Sequence, residues 1–224
     1  MIVFGSSLSP YVRKALVSAA EKGIEVENRI TGPGSQPDPE FVACSPFRKI
    51  PALKDGDFQV CDSSAIVAYF EAIRPEPALI PADAKLRART IWYEEFADTI
   101  LIPTGARVFF NRVVAPRFLG RPGDEAAADK AEREELPPLF DWIEGEIPAS
   151  GFMVGGALTL ADIAIASPFA TLAHIGLRPD PTRTPKLAAY LEAMHARPSF
   201  ARLIETETRF MAATAHRSLE KTTQ

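Results

Sequence analysis

Cysteine and histidine are scarce in this sequence of 224 residues. Its two cysteines, Cys44 and Cys61, stand far apart, and this spacing fits neither a zinc motif nor the disulfide framework of a small secreted domain. The three histidines, His174, His195 and His216, occur in helical patterns without metal-ligand spacing. We therefore expect no bound metal, and we expect these histidines at the surface or in satisfied core positions.

The sequence also lacks a charge excess and long apolar runs. Its 25 Lys and Arg residues stand against 29 Asp and Glu residues, which gives a formal net charge of -4. No basic patch is evident, so nucleic acid is a poor candidate for a partner. No apolar run approaches the roughly 20 residues of a membrane helix, and the first residues do not resemble a signal peptide. We expect a cytoplasmic protein.

The first part of the chain predicts a strand, a helix and a second strand. A short apolar run at 2–5, IVFG, ends at a glycine, which is typical of a strand that runs into a turn. The next segment is SPYVRKALVSAAEKG, in which Ser9 can cap a helix, Pro10 suits its first turn and Gly23 can end it. Alternation at 24–30, IEVENRI, indicates the second strand.

A hairpin and a helix are predicted to complete a first domain over residues 1–75. Residues 31–46 are rich in proline, glycine and serine and are expected to form a loop. The short apolar runs PAL and FQV flank Asp55-Gly56, a pair that favours a tight hairpin turn. Residues 63–73, SSAIVAYFEAI, have apolar side chains at helical spacing. The expected class is α/β, with the order β-α-β followed by β-β-α.

The rest of the chain is predicted to be a larger all-α domain. A proline-rich stretch at 76–85 indicates a linker, and residues 86–224 show helical periods without a convincing strand. Pro103 and the pair Pro137-Pro138 fall inside these periods. Because proline removes a backbone donor and clashes with the preceding turn, we expect a bend or a break at each place.

One helix of this second domain should be buried. The segment TLADIAIASPFATLAHIGL is apolar nearly all round, which is typical of a helix at the centre of a bundle. Thr159 and Asp162 at its start have the spacing of a capping box. We assign this pair a role in folding and none in catalysis.

Three motifs together resemble the cytosolic glutathione transferases. They are SPYVRKALVSAAEKG, RKIPALKDGDFQVCDSSAIVAYFE and TLADIAIA, and the resemblance covers nearly the whole chain in the same domain order. It implies a thioredoxin-like first domain, an all-helical second domain, glutathione as co-substrate and a homodimer. It also implies that the bond before Pro51 is cis and that the backbone of Ile50 hydrogen-bonds to glutathione.

The resemblance places the rest of the glutathione site around the next helix start. Free N–H groups and the helix dipole at Ser63 suit the γ-glutamyl carboxylate, and Asp62 can take the ammonium group. Lys49 matches a basic residue that contacts the glycine carboxylate in serine-type members, with Arg48 as a weaker alternative. A simpler interpretation is that Asp62 and Ser63 only cap the helix and that Lys49 is solvated. Capping and anion binding use the same orphan N–H groups, so both can hold.

The implied reaction requires glutathione as a thiolate. A thiol with a pKa near 8.5 is only a few per cent ionised at neutral pH, and a hydroxyl donor with a helix dipole behind it can stabilise the anion. Ser9 has this place in a Ser-Pro-aromatic motif, which resembles the serine-type (tau-, zeta- or theta-like) classes. Ser6 and Ser7 are rivals for the role, and the simpler interpretation of Ser9 is a helix cap. No cysteine precedes Cys44, which argues against a cysteine-type member.

The electrophile pocket is predicted beside the long helix after the linker. Its candidate residues are Tyr11, Phe96, Arg107 and Phe110, although aromatic residues at this spacing often form core instead. We therefore predict a detoxifying glutathione S-transferase whose bound thiolate attacks small hydrophobic electrophiles. The alternatives are a glutathione-dependent isomerase or dehalogenase using the same site, and a non-catalytic transferase-like module that binds protein partners.

Overall fold

The structure is a computed structural model that describes residues 1–32, 36 and 38–215. His216, whose role was considered above, lies outside the described residues. The described chain begins with a four-stranded sheet in the order β2-β1-β3-β4. Its strands are β1 Ile2–Phe4, β2 Glu27–Arg29, β3 Ala52–Asp55 and β4 Phe58–Cys61. Strand β1 runs parallel to β2 and antiparallel to β3, and β3 and β4 form the predicted hairpin.

Three helices accompany the sheet, and with it they confirm the predicted order β-α-β followed by β-β-α. They are α1 Pro10–Glu21, α2 Pro39–Cys44 and α3 Ser63–Ile73. The expectation of a loop through 31–46 is wrong where α2 forms. Asp38 caps this helix by accepting a hydrogen bond from the Glu40 amide at 2.8 Å, and Pro39 occupies its first turn.

The second strand is shorter than its alternating sequence suggests. Only Glu27–Arg29 pair with β1, because β1 itself offers three residues. The amide of Ile24 bonds instead to the carbonyl of Ala19 at 2.8 Å and so closes the end of α1. Gly23, with a φ of +64°, makes this turn possible, as expected for a glycine after a helix.

Every regular element described after β4 is helical. The α-helices beyond α3 are α4 Ala84–Phe96, α5 Ile102–Phe109, α6 Glu125–Lys130, α7 Leu136–Glu146, α8 Leu160–Ala173, α9 Pro185–His195 and α10 Pro198–Ala213. The π-helical segments are Ala97–Leu101, Phe110–Phe118 and Ala131–Glu135. Within the described part of the chain, no helix has both the length and the apolar character needed to cross a membrane.

Both predicted proline irregularities coincide with π-helical hydrogen bonding. Pro103 lies in the first turn of α5, directly after the segment Ala97–Leu101. Pro137 lies in the first turn of α7, directly after Ala131–Glu135. Dihedral angles remain helical through both junctions, so neither proline breaks the helix. A wider π turn before a proline relieves the clash with the preceding carbonyls.

Helix α8 is buried along its length, as predicted. Every residue from Leu160 to Leu172 is buried, and the helix contacts both α1 and α4. Asp162 accepts hydrogen bonds from the Thr159 amide at 2.9 Å and from the Thr159 hydroxyl at 3.0 Å, which confirms the capping box. This helix therefore forms the wall between the sheet region and the other helices.

Candidate active site

A cavity of about 420 Å³ lies between the β1–α1 loop and the helical region. Its far wall is built by α5, by the π-helical segment Phe110–Phe118, by α8 and by Phe210 of α10. Serine and threonine supply the polar side chains of the wall, at Ser6, Ser9, Thr31 and Thr171. No charged side chain of the described residues lines the cavity. It therefore suits an uncharged and largely apolar molecule.

Ser9 stands at the N-terminus of α1 and on the cavity wall. Its carbonyl accepts a helical hydrogen bond from the Arg13 amide at 2.9 Å, but its side chain makes no capping bond. Serine at this position usually turns its hydroxyl onto the helix amides. The helix therefore does not use the Ser9 hydroxyl, which lies at the positive end of the α1 dipole.

The two neighbouring serines lie differently. Ser6 also lines the cavity. Ser7 instead hydrogen-bonds to the carboxylate of Glu207, which is buried and does not line the cavity. The geometry therefore brings Ser9 and Ser6 to the cavity and directs Ser7 away from it.

The Ile50-Pro51 peptide bond is cis, as the family resemblance implied. Ile50 lines the cavity beside Gly5, whose φ is +137°. A Cβ at Gly5 would lie 2.5 Å from Val12 and 3.1 Å from Ile50, so this close approach requires glycine. The Ile50 amide and carbonyl have no hydrogen-bond partner among the described residues, and they can pair with an extended peptide.

The backbone of Ile50 and Pro51 forms an edge that we call the Ile50-Pro51 edge. The start of α3 lies next to it, because the Asp62 amide donates a hydrogen bond to the Pro51 carbonyl at 3.2 Å. One carboxylate oxygen of Asp62 caps α3 by accepting from the Ser64 and Ala65 amides at 2.9 and 3.0 Å. Asp62 has a φ of +101°, a conformation that is rare outside glycine and concentrates at functional sites. Ser63 is buried, and its own amide is not among those that Asp62 caps. Asp62 is therefore a helix cap with its second oxygen left for another partner.

Lys49 and Arg48 lie at the surface next to Ile50. Both are exposed, and Arg48 has a φ of +55°. The carbonyl of Lys49 accepts a hydrogen bond from the Ser45 hydroxyl at 2.7 Å, which fixes the backbone leading to Ile50. From this exposed position, the Lys49 amine can reach only the part of a ligand that lies at the protein surface.

Comparison with known proteins agrees with this arrangement. Residues 3–78 match the model of the glutathione S-transferase N-terminal domain, and residues 101–198 match that of the C-terminal domain. Glutathione S-transferase 3 of Zea mays is 31% identical over 209 residues, which cover 90% of this chain and 92% of that one. The chain belongs to the glutathione S-transferase family.

Two further relatives show how far the likeness to this family extends. Glutathione S-transferase theta-1 of Homo sapiens is 29% identical, over 84% of this chain and 80% of that one. The crystal structure of a glutathione S-transferase from Rhodospirillum rubrum has a TM-score of 0.80 at 25% identity and covers 90% of each chain. The fold predicted for a glutathione S-transferase is confirmed.

The two phenylalanines predicted for the electrophile pocket both lie on the long helical stretch but have different surroundings. Phe110 lines the cavity. Phe96 is buried in an aromatic cluster, with its ring centre 6.3 Å from that of Trp92 and 4.6 Å from that of Trp142. Phe96 therefore serves the core of the helical region and not the cavity wall.

The other two predicted pocket residues are engaged elsewhere. Arg107 is exposed and forms an ion pair with Glu135. The Tyr11 hydroxyl donates to the carbonyl of Asp98 at 2.8 Å. Neither residue lines the cavity. The charge of Arg107 is satisfied within the protein, so it does not favour an acidic co-substrate.

Sequence reasoning missed much of the aromatic wall of this transferase. Phe109, Phe118 and Phe210 line the cavity together with Phe110. The rings of Phe118 and Phe210 stack with their centres 5.8 Å apart and their planes within 8°. Phe210 comes from α10, far along the chain from the other three. Only the three-dimensional fold joins these residues.

A buried group of charges was also missed. Lys14 is fully buried and donates to Glu94 at 2.5 Å and to Asp98 at 2.6 Å, while Ser64 of α3 lies 3.3 Å from its amine. Two carboxylates thus face one ammonium group beside the start of α3. This surplus of negative charge favours a cation near Asp62.

Burial changes the titration of this group. Burial, against the opposing charge and hydrogen bond of Lys14, raises the pKa of Asp98 to about 6. Burial and the charges of Asp98 and Asp62 raise the pKa of Tyr11 to about 12, so its phenol stays protonated. These effects couple Asp98 electrostatically to Asp62 at the start of α3.

Asp98→Asn is expected to flatten the pH dependence of stability. In the folded protein the pKa of the Asp98 carboxyl is about 6, whereas in the unfolded chain it is near 4. The folded state therefore keeps this proton up to a higher pH than the unfolded state does. The free energy of unfolding that Asp98 contributes is full below about pH 4 and is lost as pH rises through about 6. The amide of the variant does not titrate. Between about pH 4 and 6 the free energy of unfolding should therefore fall by roughly 2–3 kcal/mol less in the variant than in the parent.

Urea unfolding of parent and variant across this pH range measures the effect. Exposed Asp57 supplies a matched control, because Asp57→Asn should retain the slope of the parent. Parallel curves for the parent and Asp98→Asn would show that folding does not raise the pKa of Asp98.

Proposed function

We propose that this protein is a serine-type glutathione transferase in which Ser9 stabilises the thiolate of glutathione. The observation that carries this proposal is the Ser9 hydroxyl, which is unused by the helix that it begins and lies on the wall of an uncharged cavity. The edge formed by Ile50 and Pro51 leads to this wall. A peptide thiol held on that edge has Ser9 as a hydrogen-bond donor.

Glutathione would lie along the edge from α3 to the cavity. Its γ-glutamyl carboxylate meets the Ser63 amide and hydroxyl at the positive end of the α3 dipole. Its ammonium group meets the free oxygen of Asp62, in the negative potential that Asp98 adds. The backbone of Ile50 pairs with the cysteinyl residue, and Lys49 at the exposed rim meets the glycine carboxylate.

Ser9 contributes by donation and not by taking the proton. A shift of about 2 units in the thiol pKa requires on the order of 2.7 kcal/mol in favour of the anion. One hydroxyl donor in a shielded site, with the α1 dipole behind it, supplies stabilisation of this size. Ser6 is the alternative donor, because it shares the cavity wall.

The electrophile is proposed to be a small, uncharged aromatic or aliphatic molecule. The wall offers aromatic faces at Phe110, Phe118 and Phe210 and no charged side chain of the described residues. Apolar burial and ring stacking are therefore the interactions that hold it. Transfer forms a carbon–sulfur bond to glutathione and breaks a bond to the leaving group, such as halide, which departs with its electron pair.

The finer assignments remain our proposals. We place the domains at 1–75 and 86–224 with a linker at 76–85, and we propose a serine-type (tau-, zeta- or theta-like) class and a cytoplasmic homodimer. Exposed apolar side chains support a dimer, since Phe47 is 84% and Trp92 46% exposed. Sedimentation equilibrium of the purified protein tests it.

Ser63→Ala is expected to weaken glutathione binding about tenfold or more. The variant removes a hydroxyl that bonds to a carboxylate, and such charge-assisted bonds contribute roughly 1.5–3 kcal/mol. Titration calorimetry measures the dissociation constant. The exposed loop serine Ser150 provides the control, because Ser150→Ala should bind like the parent.

The same titration of the parent protein tests the proposed function as a whole. Absence of binding at millimolar glutathione would overturn it and favour the non-catalytic module. Product analysis with an aryl halide separates transfer, which yields the S-aryl conjugate of glutathione, from isomerisation or from dehalogenation that regenerates free glutathione.

A further inference from the structure

Arg13 is fully buried one helical turn after Ser9, and it does not line the cavity. Its guanidinium group donates to two elements of the helical region. On α8 it reaches the Ser167 carbonyl at 2.5 Å and the Thr171 hydroxyl at 2.8 Å. On α10 it forms a two-pronged ion pair with Glu207, at 3.2 and 2.7 Å. The N-terminal turn of α1 is thereby fixed to both helices.

The same network holds the loop before Ser9. The Thr171 hydroxyl, which accepts from Arg13, donates to the carbonyl of Leu8 at 2.9 Å. Ser7 hydrogen-bonds to Glu207. Residues on both sides of Ser9 are therefore tied to one buried ion pair, while the network leaves the Ser9 side chain free.

Glu207 is the centre of this network. It is 2% exposed and receives hydrogen bonds from Arg13, from Ser7 and, at 2.8 Å, from Nε2 of His174 in its donor tautomer. Burial would raise the pKa of Glu207, but the charge of Arg13 and these hydrogen bonds hold it below its usual range. The carboxylate is thus ionised at neutral pH. A buried ion pair gives little net stability compared with apolar packing, but it fixes orientation.

We infer that Arg13 and Glu207 are positioning residues for the reaction, which hold the β1–α1 loop so that the Ser9 hydroxyl faces the thiol of bound glutathione. This inference rests on the role of Ser9 proposed above. Neither residue touches the cavity, so their effect passes through the position of Ser9. Misplacement of a donor by about 1 Å is enough to lower a rate up to a hundredfold.

The test is the thiol pKa of bound glutathione, read from the ultraviolet absorbance of the thiolate against pH. Glu207→Gln keeps the shape of the side chain and removes its charge. It should raise this pKa and lower kcat/KM at neutral pH roughly tenfold, with little change in the glutathione dissociation constant. Ser7→Ala leaves the ion pair intact and should shift the pKa in the same direction by a smaller amount, which covers the case in which Glu207→Gln does not fold.

A double-mutant cycle separates this inference from the proposed function. In the Ser9→Ala background, Glu207→Gln or Ser7→Ala should cause no further shift of the thiol pKa, because the donor that they position is gone. An unchanged thiol pKa in both folded single variants would overturn the inference, as would a shift that persists without Ser9. If Ser9→Ala alone leaves the pKa of the parent, the proposed role of Ser9 fails and this inference falls with it.

The control is a substitution that removes the charge of another carboxylate paired with a buried cation of α1. Lys22 at the other end of the helix is buried and pairs with Glu71 at 2.5 Å. Glu71→Gln should lower thermal stability and leave the thiol pKa of bound glutathione unchanged. A shift in this control equal to that of Glu207→Gln would show that general loosening, and not positioning of Ser9, moves the pKa.

Discussion

Ser9→Ala is expected to lower the transfer rate at neutral pH by about 10- to 1,000-fold. Removal of one donor to an anion in a shielded site costs roughly 2–4 kcal/mol, and each 1.4 kcal/mol is about tenfold in rate. Glutathione affinity should change little, because we propose that Ile50, Asp62 and Ser63, and not Ser9, hold the peptide. The thiol pKa of bound glutathione should therefore rise while its dissociation constant stays.

A pH–rate profile with a chromogenic aryl halide measures this effect. The deficit should shrink as pH rises, because the thiol of bound glutathione then ionises without help. Ser6→Ala is the matched variant on the same wall, and it should retain most of the activity. Coincident profiles for the parent and Ser9→Ala would remove Ser9 from the mechanism, and a large loss in Ser6→Ala would transfer the role to Ser6.

Asp162→Ala is expected to lower the free energy of unfolding by about 3–5 kcal/mol. Asp162 is fully buried and accepts hydrogen bonds from the Met153 amide at 2.8 Å, from the amide and hydroxyl of Thr159 and from the Tyr190 hydroxyl at 3.1 Å. Alanine would leave these buried donors without an acceptor, and each such group costs roughly 1–3 kcal/mol. The total cost is smaller than the sum over all these donors, because the chain around residue 162 can shift so that water reaches some of them.

Urea or thermal unfolding measures the loss, and Asp162→Asn should lose less because it keeps one acceptor oxygen. At a temperature where Asp162→Ala stays folded, its kcat should match the parent, since Asp162 does not line the cavity. Asp180 also accepts hydrogen bonds near a helix start but is exposed, so Asp180→Ala should lose about 1 kcal/mol or less. Equal losses in the two alanine variants would show that burial of Asp162 contributes nothing.

Local signals in the sequence predicted the parts of the fold that depend on near neighbours. Gly23 ends α1, Asp55-Gly56 turns the hairpin, and Thr159 with Asp162 caps α8, because each of these acts within a few positions along the chain. The α2 helix was missed because its flanks are rich in proline and glycine. Its Asp-Pro-Glu start is nevertheless a cap signal that could have been found.

The cavity wall could not be predicted in the same way. Phe96, Arg107 and Phe110 share a face only if one α-helical period runs through all three. The π-helical turns of Ala97–Leu101 use wider hydrogen bonding, so they rotate the residues that follow relative to Phe96. Contacts between residues far apart in the sequence, such as the stacking of Phe118 on Phe210, depend on the fold and produce no periodic pattern in the sequence.

The burial of charged residues on α1 could not be predicted for a related reason. A run such as Arg13-Lys14 in a helix predicts a solvated face, yet both residues are fully buried. Their partners lie far away in sequence, at Glu94, Asp98 and Glu207. A buried cation can be recognised only when its distant carboxylate is known.

These cross-region pairs limit how family members can exchange parts. A chimaera joining this sheet region to the helical region of another transferase would bring its own α1 and, with it, Arg13 and Lys14. Unless the donor of the helical region supplies carboxylates where Glu94 and Glu207 stand, two cations would be buried without compensation. A functional chimaera therefore has to match charges between α1 and the helices that pack against it.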